Sequence, residues 1–239
     1  MTSIAANMQA VIGRISRACA AVGRDPRGVA LLAVSKTWPV AALREAVAAG
    51  QRAFGENYVQ EALAKIGALR SLDLEWHFIG PLQGNKTRAV AENFAWVHSV
   101  DRLKIAERLS AQRPAGLPPL NVCVEVNVSG EASKSGVMCD EARALCRAVA
   151  ALSGLRLRGL MAIPEPTPAT DPESAVARRR FAQLRELRDE LNADNAGNAG
   201  GLGLDTLSMG MSHDMEAAIM EGATIVRVGT AIFGERVKS

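Results

Sequence analysis

From residue 29 onward, short β-branched runs alternate with longer segments whose apolar residues recur every three or four positions. That alternation marks βαβ units, because a parallel strand needs a crossover helix before its neighbour can form. Eight runs read as strands: Val29 to Val34, Ala53 to Gly55, Trp76 to Gly80, Trp96 to Val100, Val122 to Val128, Leu157 to Ile163, Thr206 to Met209 and Ile225 to Val228. Between them, Val40, Leu43 and Val47 share one helical face, as do Phe181, Leu184, Leu187 and Leu191 further on. Eight units in 239 residues leave about 30 residues each, close to the minimum for a βαβ unit. The pattern predicts an α/β chain forming a single (β/α)₈ TIM-type barrel domain over residues 1–239.

Ahead of the first strand, Ile4, Met8, Val11, Ile12, Ile15, Cys19 and Val22 fall on one helical face. Residues 1–24 are therefore expected to form an extra N-terminal helix packed on the barrel. Arg14, Arg17 and Arg24, with Ser3 and Ser16, give this stretch a loose likeness to an organelle transit peptide, but the apolar face favours the packed helix. Pro39 suits a first helical turn, Asn85 an N-cap, and Gly50 and Gly222 the ends of helices. Two stretches read as loops: Pro164 to Glu173, with four prolines, and the Asn- and Gly-rich Asn192 to Gly203.

Composition narrows the partners. With 28 basic against 25 acidic residues, the formal charge of +3 is too mild to indicate nucleic acid or a membrane, yet it suits a small anion. One tyrosine, three tryptophans and five phenylalanines leave few platforms for stacking bases. Cys19, Cys123, Cys139 and Cys146 show no C-x-x-C spacing and no clustering with histidines, so no metal site or disulfide framework is expected. Reduced thiols and the lack of any apolar run of roughly 18 residues predict a soluble cytoplasmic protein.

In a parallel barrel, ligands sit at the C-terminal ends of the strands. The first run ends at Lys36, where solvation of an ammonium is poor. Desolvation lowers a lysine's pKa and favours the neutral amine that attacks an aldehyde. A lysine there can equally snorkel out of the barrel mouth, and this run alone does not choose between the two. Leu207-Ser-Met-Gly-Met-Ser-His-Asp214 is a glycine turn feeding a helix with Ser212 as the expected N-cap; a helix start offers N–H groups to an anion. Ordinary capping is the alternative role for that serine. The eighth run brings Gly229 and Thr230 to the same mouth, and barrels often bind phosphate with the loops after strands seven and eight.

Arg227, two residues before Gly229, faces the interior if Gly229 does, and a buried arginine needs a carboxylate or a heterocycle nitrogen as partner. Gly80-Pro-Leu-Gln-Gly84-Asn-Lys86-Thr87 has three residues between its glycines where a phosphate-binding P-loop has four, so it is not one. His77 and His98 lie in or near strands and read as core or hydrogen-bonding residues; His213 falls in the first turn of a surface helix.

Eight ordered blocks carry a resemblance over almost the whole chain. They are Ala33-Val-Ser-Lys36-Thr, Phe54-Gly-Glu-Asn57-Tyr-Val-Gln-Glu61, Trp76-His-Phe-Ile-Gly-Pro-Leu-Gln-Gly-Asn-Lys86, Val124-Glu-Val-Asn-Val-Ser129, Lys134-Ser-Gly136, Gly159-Leu-Met161, Leu207 to Asp214 and Val226-Arg-Val-Gly-Thr-Ala-Ile-Phe-Gly234. In these the chain resembles the YggS/PROSC family of pyridoxal phosphate homeostasis proteins, which share the barrel of alanine racemase. Gly84 stands where a larger residue is expected.

The resemblance implies pyridoxal 5′-phosphate (PLP) as cofactor, held as a Schiff base on Lys36. It implies that Ser212, Gly229 and Thr230 hold the phosphate, that Arg227 approaches the pyridine nitrogen, and that Asn57 and Ser208 line the cofactor. No catalytic or metal-binding residue is assigned. Racemases of the alanine racemase type use a tyrosine from a second, β-rich domain, and here Tyr58 is the only tyrosine and the barrel consumes the chain. The expectation is a PLP carrier and buffer without robust catalysis, serving PLP-dependent apo-enzymes as a monomer or weak dimer. The alternatives are a racemase-like PLP enzyme acting on an amino acid, and a cofactor-free Schiff-base aldolase acting on a phosphorylated sugar. Lys86 and Lys134 are candidates for a second PLP, although solvated surface lysines are the simpler reading.

Overall fold

The structure is a computed structural model that describes residues 3–130, 135–164, 175–193 and 201–235. Its strands are β1 (Ala30–Val34), β2 (Ala53–Glu56), β3 (Glu75–Phe78), β4 (Trp96–Val100), β5 (Leu120–Glu125), β6 (Leu155–Met161), β7 (Thr206–Ser208) and β8 (Ile225–Val228). They pair in parallel in sequence order, and β8 returns to β1 with Arg227 opposite Leu32, which closes a (β/α)₈ barrel. Around it lie α2 (Val40–Ala48), α3 (Val59–Ala68), α4 (Thr87–Asn93), α5 (Leu103–Gln112), α6 (Cys139–Ala150), α7 (Ala175–Ala193), α8 (Met215–Met220) and α9 (Thr230–Phe233), with α1 (Ile4–Ala21) ahead of the first strand.

Strand alternation divides the core in two. Outward residues such as Ala33, Phe54, Phe78 and Val97 pack with Leu43, Phe94, Leu109 and Phe181 of the helices. Inward residues Leu32, Val34, Ile79, Trp96, Cys123, Met161 and Ile225 form a smaller apolar cluster within the barrel. Burying each large apolar side chain contributes about 1.5 to 3 kcal/mol, and the outer layer holds most of them. Glycines such as Gly159 and Gly80 permit close approach. A Cβ on Gly159 would lie 1.8 Å from the Thr206 carbonyl oxygen, and one on Gly80 would lie 2.5 Å from that of Asn57.

β4 and β8 keep the expected bounds, while other ends move by one to three residues. β5 ends at Glu125 rather than Val128: the Val126 N–H makes a last bond to the Met161 carbonyl at 2.8 Å and the residue then bridges to Val137, so the apolar run outlasts the ladder. β6 likewise stops at Met161, two residues short of Ile163. Asn85 is not an N-cap; it sits in a 3-10 turn, Gly84–Lys86, and α4 follows with its first residue Thr87 donating from Oγ1 to the Gly84 carbonyl. Asn192 belongs to the end of α7, where its side chain bonds the backbone of Leu204 on both sides. Most of the two expected loops, together with Lys134, lies outside the described residues.

α1 starts at the Ser3 cap and buries Met8, Val11, Ile15, Ala18 and Cys19. Ile12 and Val22, expected on that face, are each 41% exposed: at 100° per residue Ile12 falls past the edge of the buried stripe, whereas Val22 is the C-cap, beyond the last helical residue Ala21. The helix packs on α8, α9 and α2. Asn7 donates to the Ile232 carbonyl, and Arg24, just past the helix, donates to those of Ile219 and Ala223. No helix among the described residues is long and apolar enough to cross a membrane.

Candidate functional site

Lys36 follows β1 at inward parity and is half-buried. The residues on either side of it are fixed from outside the barrel. Ser35 donates from Oγ to Glu56 Oε1 at 2.6 Å, and its carbonyl accepts from Lys65 Nζ at 2.7 Å. Lys65 also bonds Glu56 and Glu61, and Glu61 in turn accepts from the Thr37 backbone N–H at 2.5 Å. Thr37 has a φ of 69°, a left-handed conformation costing a non-glycine residue about 1 to 3 kcal/mol, so the cage around it holds the turn that aims Lys36. Burial pushes the Glu56 carboxyl above its usual pKa despite the Lys65 and Ser35 hydrogen bonds, and its Oε2 has no partner among the described residues.

Across the mouth, Asp214 rather than Ser212 precedes α8 at the cap position. Its carboxylate accepts from the Met211 N–H at 2.6 Å, which closes the turn from Met211 to Asp214 ahead of the helix start at Met215. Ser212 is thereby left at the pocket wall, where its Oγ accepts from the Ala231 N–H at 3.4 Å and ties the β7 loop to α9. The N-terminal helix braces the same loop: Arg14 donates to the Ser212 carbonyl at 2.9 Å and to both oxygens of Glu216.

Arg227 is buried to 3% exposure on the inner face of β8. It donates to the Ser208 carbonyl at 2.6 Å, to Ser208 Oγ at 2.7 Å and to the Ala162 carbonyl at 2.8 Å. All three acceptors are uncharged, so desolvation brings the guanidinium down to about 10, countered by the charges of Asp214 and Glu125. Glu125, at the end of β5, is itself pushed up to about 7 by burial and by Asp101.

One cavity of about 190 Å³ gathers Lys36, Asn57, Ser212, Arg227, Gly229 and Thr230 with the apolar walls Val34, Ile79 and Ile163. Ser208 is not part of its wall; it is fully buried beneath Arg227. Asn57 Oδ1 is buried without a hydrogen-bond partner among the described residues, which leaves a polar atom for a ligand to satisfy. An amine, two hydroxyls beside a glycine, a guanidinium and apolar faces suit a flat, phosphorylated heterocyclic aldehyde. His213 reaches the same wall, and Lys86 lines an adjoining cavity of about 400 Å³ with Asn57 and Tyr58. Sequence reasoning missed Glu125, Asp214 and the Glu56–Glu61–Lys65 cage. Glu125 carried a signal, its inward parity with Cys123, whereas the cage joins elements with no local pattern to betray it.

The alanine racemase N-terminal domain family matches residues 3–237 of this chain. A pyridoxal phosphate homeostasis protein of Pseudomonas aeruginosa is 64% identical over 99% of this chain and 97% of its own length. Among solved structures, PipY of Synechococcus elongatus with PLP bound superposes with a TM-score of 0.77 at 42% identity, covering 92% of this chain and 100% of PipY. Alanine racemase from Corynebacterium glutamicum shares the fold, with a TM-score of 0.64 at 17% identity over 94% of this chain but only 61% of the racemase. This chain therefore belongs to the pyridoxal phosphate homeostasis family, built on the alanine racemase N-terminal barrel.

Proposed function

We propose that this protein binds PLP at the C-terminal mouth of the barrel, anchors it on Lys36, and serves PLP homeostasis as a cytoplasmic carrier and buffer rather than as a catalyst. The observation that carries the reading is the convergence of Lys36, Ser212, Gly229, Thr230 and Arg227 on one cavity. When bound, PLP supplies an aldehyde that condenses reversibly with a primary amine, and a ring that accepts electrons.

Lys36 presents the amine from a turn fixed on both sides. Ser212 and Thr230 offer hydroxyl donors for the phosphate, with Gly229 keeping the backbone accessible. Val34, Ile79 and Ile163 would give the ring apolar walls to pack against. Arg227, a donor that keeps its proton, would face the ring nitrogen and disfavour its protonation, which weakens the electron sink. The described residues of the wall place no tyrosine or carboxylate opposite Lys36, and Tyr58 lines the neighbouring cavity instead. These features support holding over turnover. The free state of Cys19, Cys123, Cys139 and Cys146 agrees with a reducing cytoplasm. Exchange with PLP-dependent apo-enzymes as a monomer or weak dimer completes the proposal. His213 at the pocket wall favours a second reading, a racemase-like enzyme in which an imidazole moves a proton on an amino acid.

Borohydride reduction of the PLP-loaded protein followed by peptide mapping is expected to find the pyridoxyl group on Lys36, and Lys36→Ala to lose the visible absorbance while remaining folded. Label on another lysine, or nowhere, overturns the anchor. Sustained racemisation or transamination of amino acids at about 1 s⁻¹ or faster overturns the carrier role in favour of the enzyme.

A further inference from the structure

A column of hydrogen bonds runs through the barrel from Arg227 at the pocket to Glu75 at the opposite mouth. Arg227 Nη1 donates to Ser208 Oγ at 2.7 Å, and Ser208 Oγ lies 2.7 Å from His98 Nδ1. His98 Nε2 lies 2.9 Å from His77 Nδ1, and His77 Nε2 lies 2.8 Å from Glu75 Oε1. Ser208, His98 and His77 are buried, whereas the Glu75 side chain is 51% exposed. Glu75 opens on a floor cavity of about 340 Å³ that His77, Trp96, Arg158 and Asp205 also line.

The two ends dictate the direction of every bond between them. A guanidinium only donates and a carboxylate only accepts. Burial holds both imidazoles below their usual pKa and therefore neutral, and the His77 hydrogen bond keeps Glu75 below the usual carboxylate range. With one proton per ring, His77 must carry it on Nε2 toward Glu75, so its Nδ1 accepts from His98 Nε2–H. His98 Nδ1 is then bare, and the Ser208 hydroxyl donates to it while its lone pairs receive Arg227. Barrel interiors are usually filled by Val, Ile and Leu, and a buried polar group left unpaired costs about 1 to 3 kcal/mol. Packing alone would not call for two imidazoles ordered from a solvent-facing carboxylate.

We propose that Glu75, His77, His98 and Ser208 are positioning residues for Arg227, ordering their protons so that the Ser208 hydroxyl donates to His98, keeps its lone pairs for Arg227 and fixes the guanidinium toward the cofactor's ring nitrogen. The inference rests on the pocket being a PLP site, and it couples the floor of the barrel to the hold on the cofactor. Three hydrogen bonds separate Glu75 from Ser208, so a change at the floor reaches Arg227 without touching the pocket.

The ¹⁵N shifts of His77 and His98 in the apo-protein test the order directly, with the proton of both rings expected on Nε2. Glu75→Gln puts an amide, which donates as well as accepts, at the half-exposed end. It is expected to give mixed tautomers and PLP release faster by about threefold to tenfold, the worth of one hydrogen bond, with an unchanged melting temperature. His98→Leu should release PLP faster still and alter its absorbance, while His98→Asn, which keeps an acceptor toward Ser208, restores part of the hold. An Nδ1 proton on either ring, or wild-type release from Glu75→Gln, overturns the proposal. Should His98→Leu fail to fold, the Glu75 variant decides. Wild-type protein that binds no PLP would refute the cofactor site, a result distinct from loss of the tautomer order in the apo-protein.

Discussion

Replacing Glu125 with glutamine tests the electrostatics of the barrel mouth in isolation, because it removes a titratable group and keeps its shape. The carboxyl is 6% exposed, beside Asp101 and within the field of Arg227, and burial pushes it up to about 7 from its usual 4.5. The folded state therefore binds this proton more tightly than the unfolded chain. The stability it contributes is fully present below about pH 4.5 and is lost as the pH rises through about 7. The difference amounts to about 3 kcal/mol at 1.36 kcal/mol per pKa unit, an upper figure that solvent at the mouth reduces. Glu125→Gln mimics the protonated carboxyl at every pH. Urea melts of both apo-proteins, in phosphate-free buffer from about pH 4.5 to about pH 8, should start together and diverge, the variant ending about 2 to 3 kcal/mol more stable. Parallel curves with a constant offset would falsify this account, since they would mean that Glu125 titrates alike in both states.

Two further substitutions probe how the site is supported. Lys65→Met strips the buried Glu56 of its ion partner and the Ser35 carbonyl of its donor, so it should cost about 3 to 5 kcal/mol in chemical denaturation. Adding Glu56→Gln should recover most of that loss; a double variant as unstable as the single one would show that packing, not charge, is at stake. Gly159→Ala would drive a methyl into the Thr206 backbone oxygen, where β6 and β7 pair, and should cost about 3 kcal/mol or more with a lower melting temperature. A wild-type melt would mean that the two strands separate with little resistance.

The barrel was legible because its signal is repeated. Trp96 to Val100 and Ile225 to Val228 stand out as β-branched runs bounded by helical periodicity, and both form strands with those limits. The ends of β5 and β6 were not, because hydrophobicity reports burial rather than pairing: Val126 is buried at the mouth, where its bond to Met161 is the last between β5 and β6. For the site, strand ends and parity sufficed to bring Lys36, Gly229, Thr230 and Arg227 together, since β1 sets the first and β8 the other three. The helix start was misplaced by two residues because Ser212 and Asp214 are both good caps, and the choice fell to a bond from Met211 that only the folded turn supplies.

The histidines show where such reading reaches its physical limit. His77 and His98 share inward parity on neighbouring strands, with His77 in register with Trp96, so their meeting could be inferred from the pairing of β3 and β4. Which nitrogen carries each proton could not, because that depends on Ser208 at one end and Glu75 at the other, and Ser208 lies 110 positions from His98. A strand pattern encodes side, depth and neighbour. The direction of a hydrogen bond belongs to the closed ring of strands, where a donor that cannot accept and a carboxylate that cannot donate are joined through the same column.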